Sequence, residues 1–290
     1  MSSQEFKENT KLVDKLFPFN LFHFENRTQN ILYLHWHDNI EIIYMLGGHS
    51  IFNIGTQEIE ASPGDVLFVN SGYLHSGYSV DNAEVEFYAI VLNKGLLSNQ
   101  IPDPSYMKYI APFLTDELLF PCKISTTEQC NGQIKGILDS IICEFNLKQS
   151  GYEIAVKSYL YLLFLAVFRN YSNTTESDVK QARYTRDVER FKELFIYIEK
   201  NYTEKITVDE AASIINLSPH HFCKTFKKIT GRTFIEFLNL YRVNVAEELL
   251  RKTSLPITEI SEKVGFCNIN YFDKTFKQYR RYSPSMCRKT

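Results

Sequence analysis

A chain of 290 residues, 23% charged and 44% apolar with a formal net charge of −2, has the composition of a soluble protein and the length for two domains. Its longest apolar run, Tyr159 to Phe168, covers ten residues and is too short to span a bilayer, so no membrane partner is expected. Six cysteines (Cys122, Cys130, Cys143, Cys223, Cys267 and Cys287) include no C-x-x-C pair, which argues against a disulfide scaffold or zinc module and for reduced thiols in a cytoplasmic protein. The charge is unevenly spread. Residues 186–290 carry 19 Lys+Arg against 13 Asp+Glu, and residues 1–185 carry 13 against 21. A basic C-terminal third on an acidic remainder fits a nucleic-acid-binding module joined to a part that does not bind DNA.

Residues 1–16 read as a polar leader without a signal-peptide pattern. From Phe17 to Leu92 the signals are short β-rich runs at Leu21–Phe24, Ile31–Leu34, Glu41–Met45, Ser50–Ile54, Glu58–Glu60, Val66–Asn70 and Glu86–Leu92. Gly47-Gly48, Gly55, Pro63-Gly64 and Gly72 punctuate them at the intervals of a barrel or jelly roll. His35-x-His37-x-x-x-Glu41 precedes Gly47-Gly48, and Pro63-Gly64-Asp65 precedes Asn70-Ser71-Gly72-Tyr73-Leu74-His75. Strand parity puts His35 and His37 on one face, with Glu41 joining them if the strand continues and His75 arriving from a neighbouring strand. Two or three imidazoles and a carboxylate can hold a divalent transition metal. The pair of motifs resembles the cupin double motif, which implies a small β-barrel with a central cavity; in cupin enzymes it binds iron, manganese or zinc.

Residues 93–127, with Pro102, Pro104, Pro112 and Pro121, read as an irregular connection wrapped on the barrel. Two amphipathic helices follow. In the first, Ile134, Ile137, Leu138, Ile141, Ile142 and Phe145 form one apolar stripe that ends at Gln149-Ser150-Gly151. The second, about Glu153 to Arg169, is apolar on most faces, more than one barrel face can cover, which points to a partner surface. The polar stretch 171–186 reads as a linker.

The C-terminal part says nearly the same thing twice. Phe222-Cys223-Lys224-Thr225-Phe226-Lys227 is matched by Phe272-Asp273-Lys274-Thr275-Phe276-Lys277 fifty residues on, while Glu210, Ile215 and Leu217 match Glu259, Val264 and Phe266 at forty-nine. One residue is therefore inserted in the second turn, and the repeat fixes the architecture. Each copy reads as helix, tight turn, helix. Thr207 and Glu210 form a capping box, Ser218-Pro219 starts a second helix, and Asn268 caps its counterpart. Phe222, Phe226, Phe272 and Phe276 are expected on buried faces, with lysines and amides exposed beside them. Such helices suit the major groove, where lysine donates to guanine and asparagine reads adenine. Arg186 to Asn201 reads as the first helix of this domain and Phe234 to Arg251 as the long helix joining the two units.

I-T-V-D-E-A-A (206–212), S-P-H-H-F-C-K-T-F-K-K (218–228), I-T-E-I-S-E-K-V-G-F (257–266), N-I-N-Y-F-D-K-T-F-K (268–277) and Tyr282-Ser283-Pro284 together resemble the DNA-binding domain of the AraC/XylS family of bacterial transcription regulators. The resemblance implies an α+β multidomain chain: a cupin-like effector-sensing barrel over 1–127, two dimerisation helices over 128–170, a linker at 171–186 and an all-α double helix-turn-helix domain over 187–290. It places base-reading residues at His220, Cys223 and Lys224 and at Ile269, Asn270, Tyr271 and Lys274, with Asn268 at the helix start. Arginine is more usual where Lys224 and Lys274 stand, which weakens a bidentate guanine contact. Lys227, Lys228, Lys277, Arg280 and Arg281 are candidate phosphate contacts, and Arg242 stands evenly between phosphate contact and surface charge. Regulators of this family keep a similar H-x-H…E pattern and use the cavity for an organic effector. His35, His37, Glu41 and His75 are therefore expected to bind an effector such as a polyol, ahead of a purely structural role and ahead of a metal, with no cofactor. Promoter DNA, RNA polymerase and a second copy of the chain are the implied partners, and activation the implied outcome. No P-loop, nucleophile triad or dinucleotide fingerprint is present, and no enzyme activity is expected; the alternatives are a metal-dependent cupin enzyme or metal sensor fused to a DNA-binding domain, and a constitutive regulator whose barrel is a scaffold.

Overall fold

The computed structural model describes residues 6–8, 10, 12, 14, 16–26, 30–80, 83–98, 103–171 and 190–288. It divides into two compact units, Lys7–Ala182 and Arg183–Thr290, the second taking Met1–Phe6 as well. The linker expected at 171–186 lies outside the described residues except for Tyr171, which ends a helix.

The first unit is a two-sheet barrel. Strands β1 (Phe19–Asn26), β8 (Val85–Leu92), β3 (Ile40–Gly47), β6 (Val66–Val69) and β9 (Lys123–Ile124) form one sheet in that order. Strands β2 (Asn30–His35), β7 (His75–Ser79), β4 (Ser50–Ile54) and β5 (Gln57–Ala61) form the other. All neighbours pair antiparallel. On β3, Ile40, Ile42 and Tyr44 face one way and Ile43 and Met45 the other, and both sets are buried. The inward set meets Phe52, Ile54, Leu67, Val69, Phe87 and Ala89 between the sheets. A strand covered on both sides needs apolar residues at every position, which is why I-E-I-I-Y-M-L is nearly continuous.

Helices α3 (Asn131–Leu147) and α4 (Tyr152–Tyr171) cover the outward set through Ile134, Leu138, Ile141, Val156, Leu160, Leu163 and Val167. The connection 93–127 is more ordered than its prolines imply. It holds a 3-10 turn at Lys94–Leu97 and two short helices, α1 (Pro104–Tyr109) and α2 (Ala111–Leu114), before β9. Pro104 and Pro112 sit in first helical turns, where a missing N–H costs nothing, and Asp103 caps α1. Asn70 fastens this segment, its amide donating to Phe120 O at 3.1 Å and accepting from Phe120 N at 2.9 Å. On α4, Ile154 (73% exposed), Tyr161 (38%) and Leu162 (50%) remain uncovered.

The second unit is all helix. Residues 190–201 (α5) are followed by α6 (Val208–Ile214), α7 (Pro219–Thr230), α8 (Phe234–Lys252), α9 (Ile257–Lys263), α10 (Ile269–Arg280) and α11 (Pro284–Cys287). Its first half is built on an aromatic cluster in which Phe191, Phe195, Phe222, Phe226, Phe234 and Phe237 stand at centroid spacings of 5.3–6.4 Å. Burial of each such ring contributes about 1.5–3 kcal/mol. The expected caps are present: Thr207 and Glu210 form a reciprocal box, Ser218 accepts from His221 N, and Asn268 accepts from Asn270 N and Tyr271 N. A second reciprocal box, Thr233 with Glu236, opens α8.

Candidate functional site

The barrel histidines come together by a different route from strand parity. Strand β2 ends at His35, and the chain bends at Asp38-Asn39 before β3 begins, so it crosses from one sheet to the other. His37 sits in that crossing, which carries Glu41 inward on the opposite sheet. His75 opens β7 directly opposite His35 in the β2–β7 ladder. The four side chains are buried, and their ligand atoms all lie within 4.8 Å of one another. Glu41 Oε2 is 2.8 Å from His37 Nε2 and 3.1 Å from His75 Nε2.

The other ring nitrogens are all engaged with the main chain. Nδ1 of His35, His37 and His75 lies 2.8, 3.2 and 2.9 Å from the carbonyl oxygens of Tyr33, Asn39 and Tyr73. Sequence reasoning missed a fifth member. Glu8 Oε2 is 2.8 Å from His35 Nε2, brought there by a parallel bridge of Lys7 with Trp36 in which Glu8 N donates to Trp36 O. Only a contact between residues distant in sequence places Glu8 there, and the leader has no pattern that announces it.

Electrostatics divide the cluster. Burial opposes the charge on Glu41, yet His75 and His37 hold its carboxyl well below the usual range. Burial also opposes a charged His35, but the hydrogen bond it donates to Glu8 and the Glu41 charge raise it above its ordinary value. For His75, burial and the neighbouring His35 prevail over Glu41, and its pKa is pushed down to about 4. The hydrogen bond accepted from His35 lowers Glu8 in turn.

In the second unit, His220, Cys223, Lys224 and Lys227 form one exposed stripe on α7, opposite buried Phe222 and Phe226; Lys228 is exposed beside them. On α10, Asn270, Lys274 and Lys277 form the matching stripe, and Asn268, Ile269 and Tyr271 are exposed at the helix start. Lys277 Nζ lies 2.6 Å from Asp273, and the Tyr271 hydroxyl accepts from Asn239 Nδ2 on α8 at 2.8 Å. Arg242 is engaged internally. Its Nε and Nη2 donate to Tyr202 O and Glu204 O at 2.7 and 2.6 Å, and its guanidinium lies over the Phe266 ring. Arg280 is held by Glu247 and Asn244, leaving Arg281 exposed.

Both halves match known families. Residues 18–164 match the AraC-like ligand binding domain, and residues 211–290 match a helix-turn-helix domain. The chain belongs to the AraC family of transcription regulators. An uncharacterised helix-turn-helix-type transcriptional regulator of Bacillus subtilis, YdeC, is 28% identical over 251 residues, 87% of this chain and 84% of its own length. The lactose operon transcription activator of Staphylococcus xylosus is 28% identical over 178 residues, covering 57% of this chain and 59% of the activator. Among solved structures, the C-terminal domain of the response regulator yesN from Fusobacterium nucleatum is 34% identical over 33% of this chain and 93% of that one, with a TM-score of 0.32. Among the described residues no helix is long and apolar enough to cross a membrane. As an AraC-family regulator the chain pairs a ligand-binding N-terminal barrel with a DNA-binding C-terminal domain.

Proposed function

We propose that this regulator is a cytoplasmic, effector-controlled homodimer, and not an enzyme, that activates transcription with RNA polymerase. The observation that carries the DNA half is the pair of exposed stripes on α7 and α10, each backed by buried phenylalanines and braced on α8. His220, Cys223 and Lys224 and then Ile269, Asn270, Tyr271 and Lys274 read base edges in successive major-groove segments. Lys227, Lys228, Lys277, Arg281 and the Asn268 helix start hold phosphate. Arg242 and Arg280 are left out of this set, because their guanidinium groups already serve carbonyl and carboxylate partners within the domain.

The effector site is the polar end of an otherwise apolar barrel interior, formed by His35, His37, Glu41 and His75. A sugar-like polyol suits these groups, and the lactose operon activator among the relatives is consistent with one. The stripe Ile154, Tyr161 and Leu162 on α4, with Ser158 between them, is the surface for the second copy. Effector then shifts the balance between sensor states that bind it unequally.

The test starts from an operator selected by the full-length protein out of random duplex DNA. Lys274→Ala is expected to weaken that operator by about 1–3 kcal/mol and to relax preference at one base position. A loss equal on all sequences would remove Lys274 from the reading set. A panel of sugars and polyols should contain a compound that changes operator affinity, and no change across the panel would count against the polyol.

A further inference from the structure

The reading residue Tyr271 is held at its polar end by the scaffold helix. It stands in the first turn of α10, 49% exposed, and Asn268 accepts from its backbone N–H at 3.2 Å. Its ring lies 5.9 Å from that of buried Phe266, which in turn lies against the Arg242 guanidinium. Its hydroxyl is 2.8 Å from Asn239 Nδ2, and Asn239, on α8, is itself buried. Backbone, ring and hydroxyl are therefore each fixed by a different part of the second helix-turn-helix unit. The repeat puts exposed His221 at the same place on α7, so a tyrosine held in this way is not part of the shared plan.

A free phenolic hydroxyl discriminates poorly between bases, since it can donate or accept. Conjugation with the ring keeps its proton near the ring plane, on one side of the oxygen or the other. An amide N–H that arrives on one side takes the acceptor position there and leaves the proton on the opposite side. Asn239 Nδ2 arrives in this way, so the Tyr271 proton is directed away from Asn239. A donor of fixed direction carries sequence information. In the major groove guanine offers N7 and O6 as acceptors, adenine N7 and thymine O4, whereas cytosine presents its N4 amino donor. A hydroxyl that donates thus suits three bases and meets cytosine donor to donor, which leaves a polar group unpaired in a closed interface.

We propose that Asn239 is a positioning residue for DNA recognition: it holds the Tyr271 hydroxyl as a hydrogen-bond donor and through it excludes cytosine from one operator position. This rests on the reading of α10 as a major-groove helix and adds the class of base taken at that position, a purine or thymine. Asn239 is buried and acts only through Tyr271.

The experiment uses full-length protein and the operator it selects from random duplex DNA, with each position then changed to all four bases. Wild-type protein should disfavour cytosine at one position by about tenfold relative to the best base there. Tyr271→Phe should cut that discrimination to less than about threefold and leave the position that depends on Lys274 unchanged. Asn239→Leu should do the same, because a hydroxyl released from the amide can turn and accept from cytosine. Adding Asn239→Leu to Tyr271→Phe should alter base preference no further. Asn239→Asp is the sharper variant. A carboxylate only accepts, so it captures the Tyr271 proton and should turn the position toward cytosine. Melts followed by circular dichroism check that the variants fold; should one Asn239 variant fail, the other and Tyr271→Phe decide. Folded Asn239 variants with wild-type base preferences would overturn the proposal even if affinity falls, since a merely structural tie would give that result. Tyr271→Phe that weakens all sequences alike would overturn it by placing the hydroxyl on phosphate, with the recognition helix still in the groove. Base preferences that survive alanine at Asn270, Tyr271 and Lys274 together would overturn it along with the reading of α10.

Discussion

The two helix-turn-helix units are copies of one plan, and their differences divide the labour. In the turn before each recognition helix, Asn216 (φ 54°) occupies the place of Gly265 (φ 87°), and the extra residue of the second turn is Cys267. The first unit opens with the Thr207–Glu210 box, whereas α9 follows Pro256 with no side-chain cap. On the outer stripes Cys223 corresponds to Asp273, which pairs with Lys277, while Lys227 is exposed. The second unit is tied to α8 through Asn239–Tyr271, Arg280–Glu247 and Tyr282–Glu247, and the α7 helix of the first meets α8 through edge-on phenylalanines. The first helix thus exposes more unneutralised charge, and the second is the more firmly oriented of the two.

The largest effect that would break this contrast lies in the turns. An alanine Cβ at Gly265 would meet Thr203 O at 2.6 Å with φ at +87°. Gly265→Ala should therefore cost about 2–4 kcal/mol, against almost nothing for Asn216→Gly, where the chain already accepts a side chain. Trp36 is the sole tryptophan and belongs to the barrel, so unfolding of the helical unit is to be followed by circular dichroism at increasing urea. Equal costs would mean that the two turns are equally constrained. A smaller effect concerns charge. Lys227→Ala should reduce the salt slope of operator affinity by about 1, and Lys277→Ala by clearly less because Asp273 already screens it. Identical slopes would remove the distinction between the stripes.

The smallest effect is on pH. Hydrogen bonds from the Thr207 backbone N–H and hydroxyl hold the Glu210 carboxyl below its ordinary value. A carboxyl depressed in the folded state contributes stability that is complete above the unfolded value, about 4.3, and is lost as pH falls through the folded one. Amide protection factors at the start of α6, corrected for the intrinsic pH dependence of exchange, should therefore fall over that acid range, while the start of α9, which lacks such a box, should not share the transition. A common transition in both would trace the loss to the whole unit.

The repeat was the most legible part of the sequence because each half carries its own caps and apolar spacing, which are local signals. Thr207, Ser218 and Asn268 cap where their residue types said they would. Strand β7 was not legible: H-S-G-Y-S has no β-branched residue and contains glycine, and its conformation comes from β2 and β4 on either side. The four side chains of the quartet lie together in space, but Glu41 joins them across a bend at Asp38-Asn39 and not along the continued strand that parity requires. The prolines of 93–127 suggest an irregular connection, whereas Pro104 and Pro112 each lie in a first helical turn. Arg242 was undecidable from sequence because its carbonyl partners lie forty and thirty-eight residues away.

The crossing between His35 and Glu41 has a mechanical consequence. Two sheets packed through methyl groups and rings interlock by shape alone, since such contacts have no preferred direction. The quartet adds directional bonds across that interface: His35 and His75 belong to one sheet and Glu41 to the other. The cluster thus pins the two layers at one point and sets their shear there. The outer face of the Glu41 sheet carries α3 and α4, so a change of shear of a few tenths of an ångström reaches the helical layer directly, without any loop having to move.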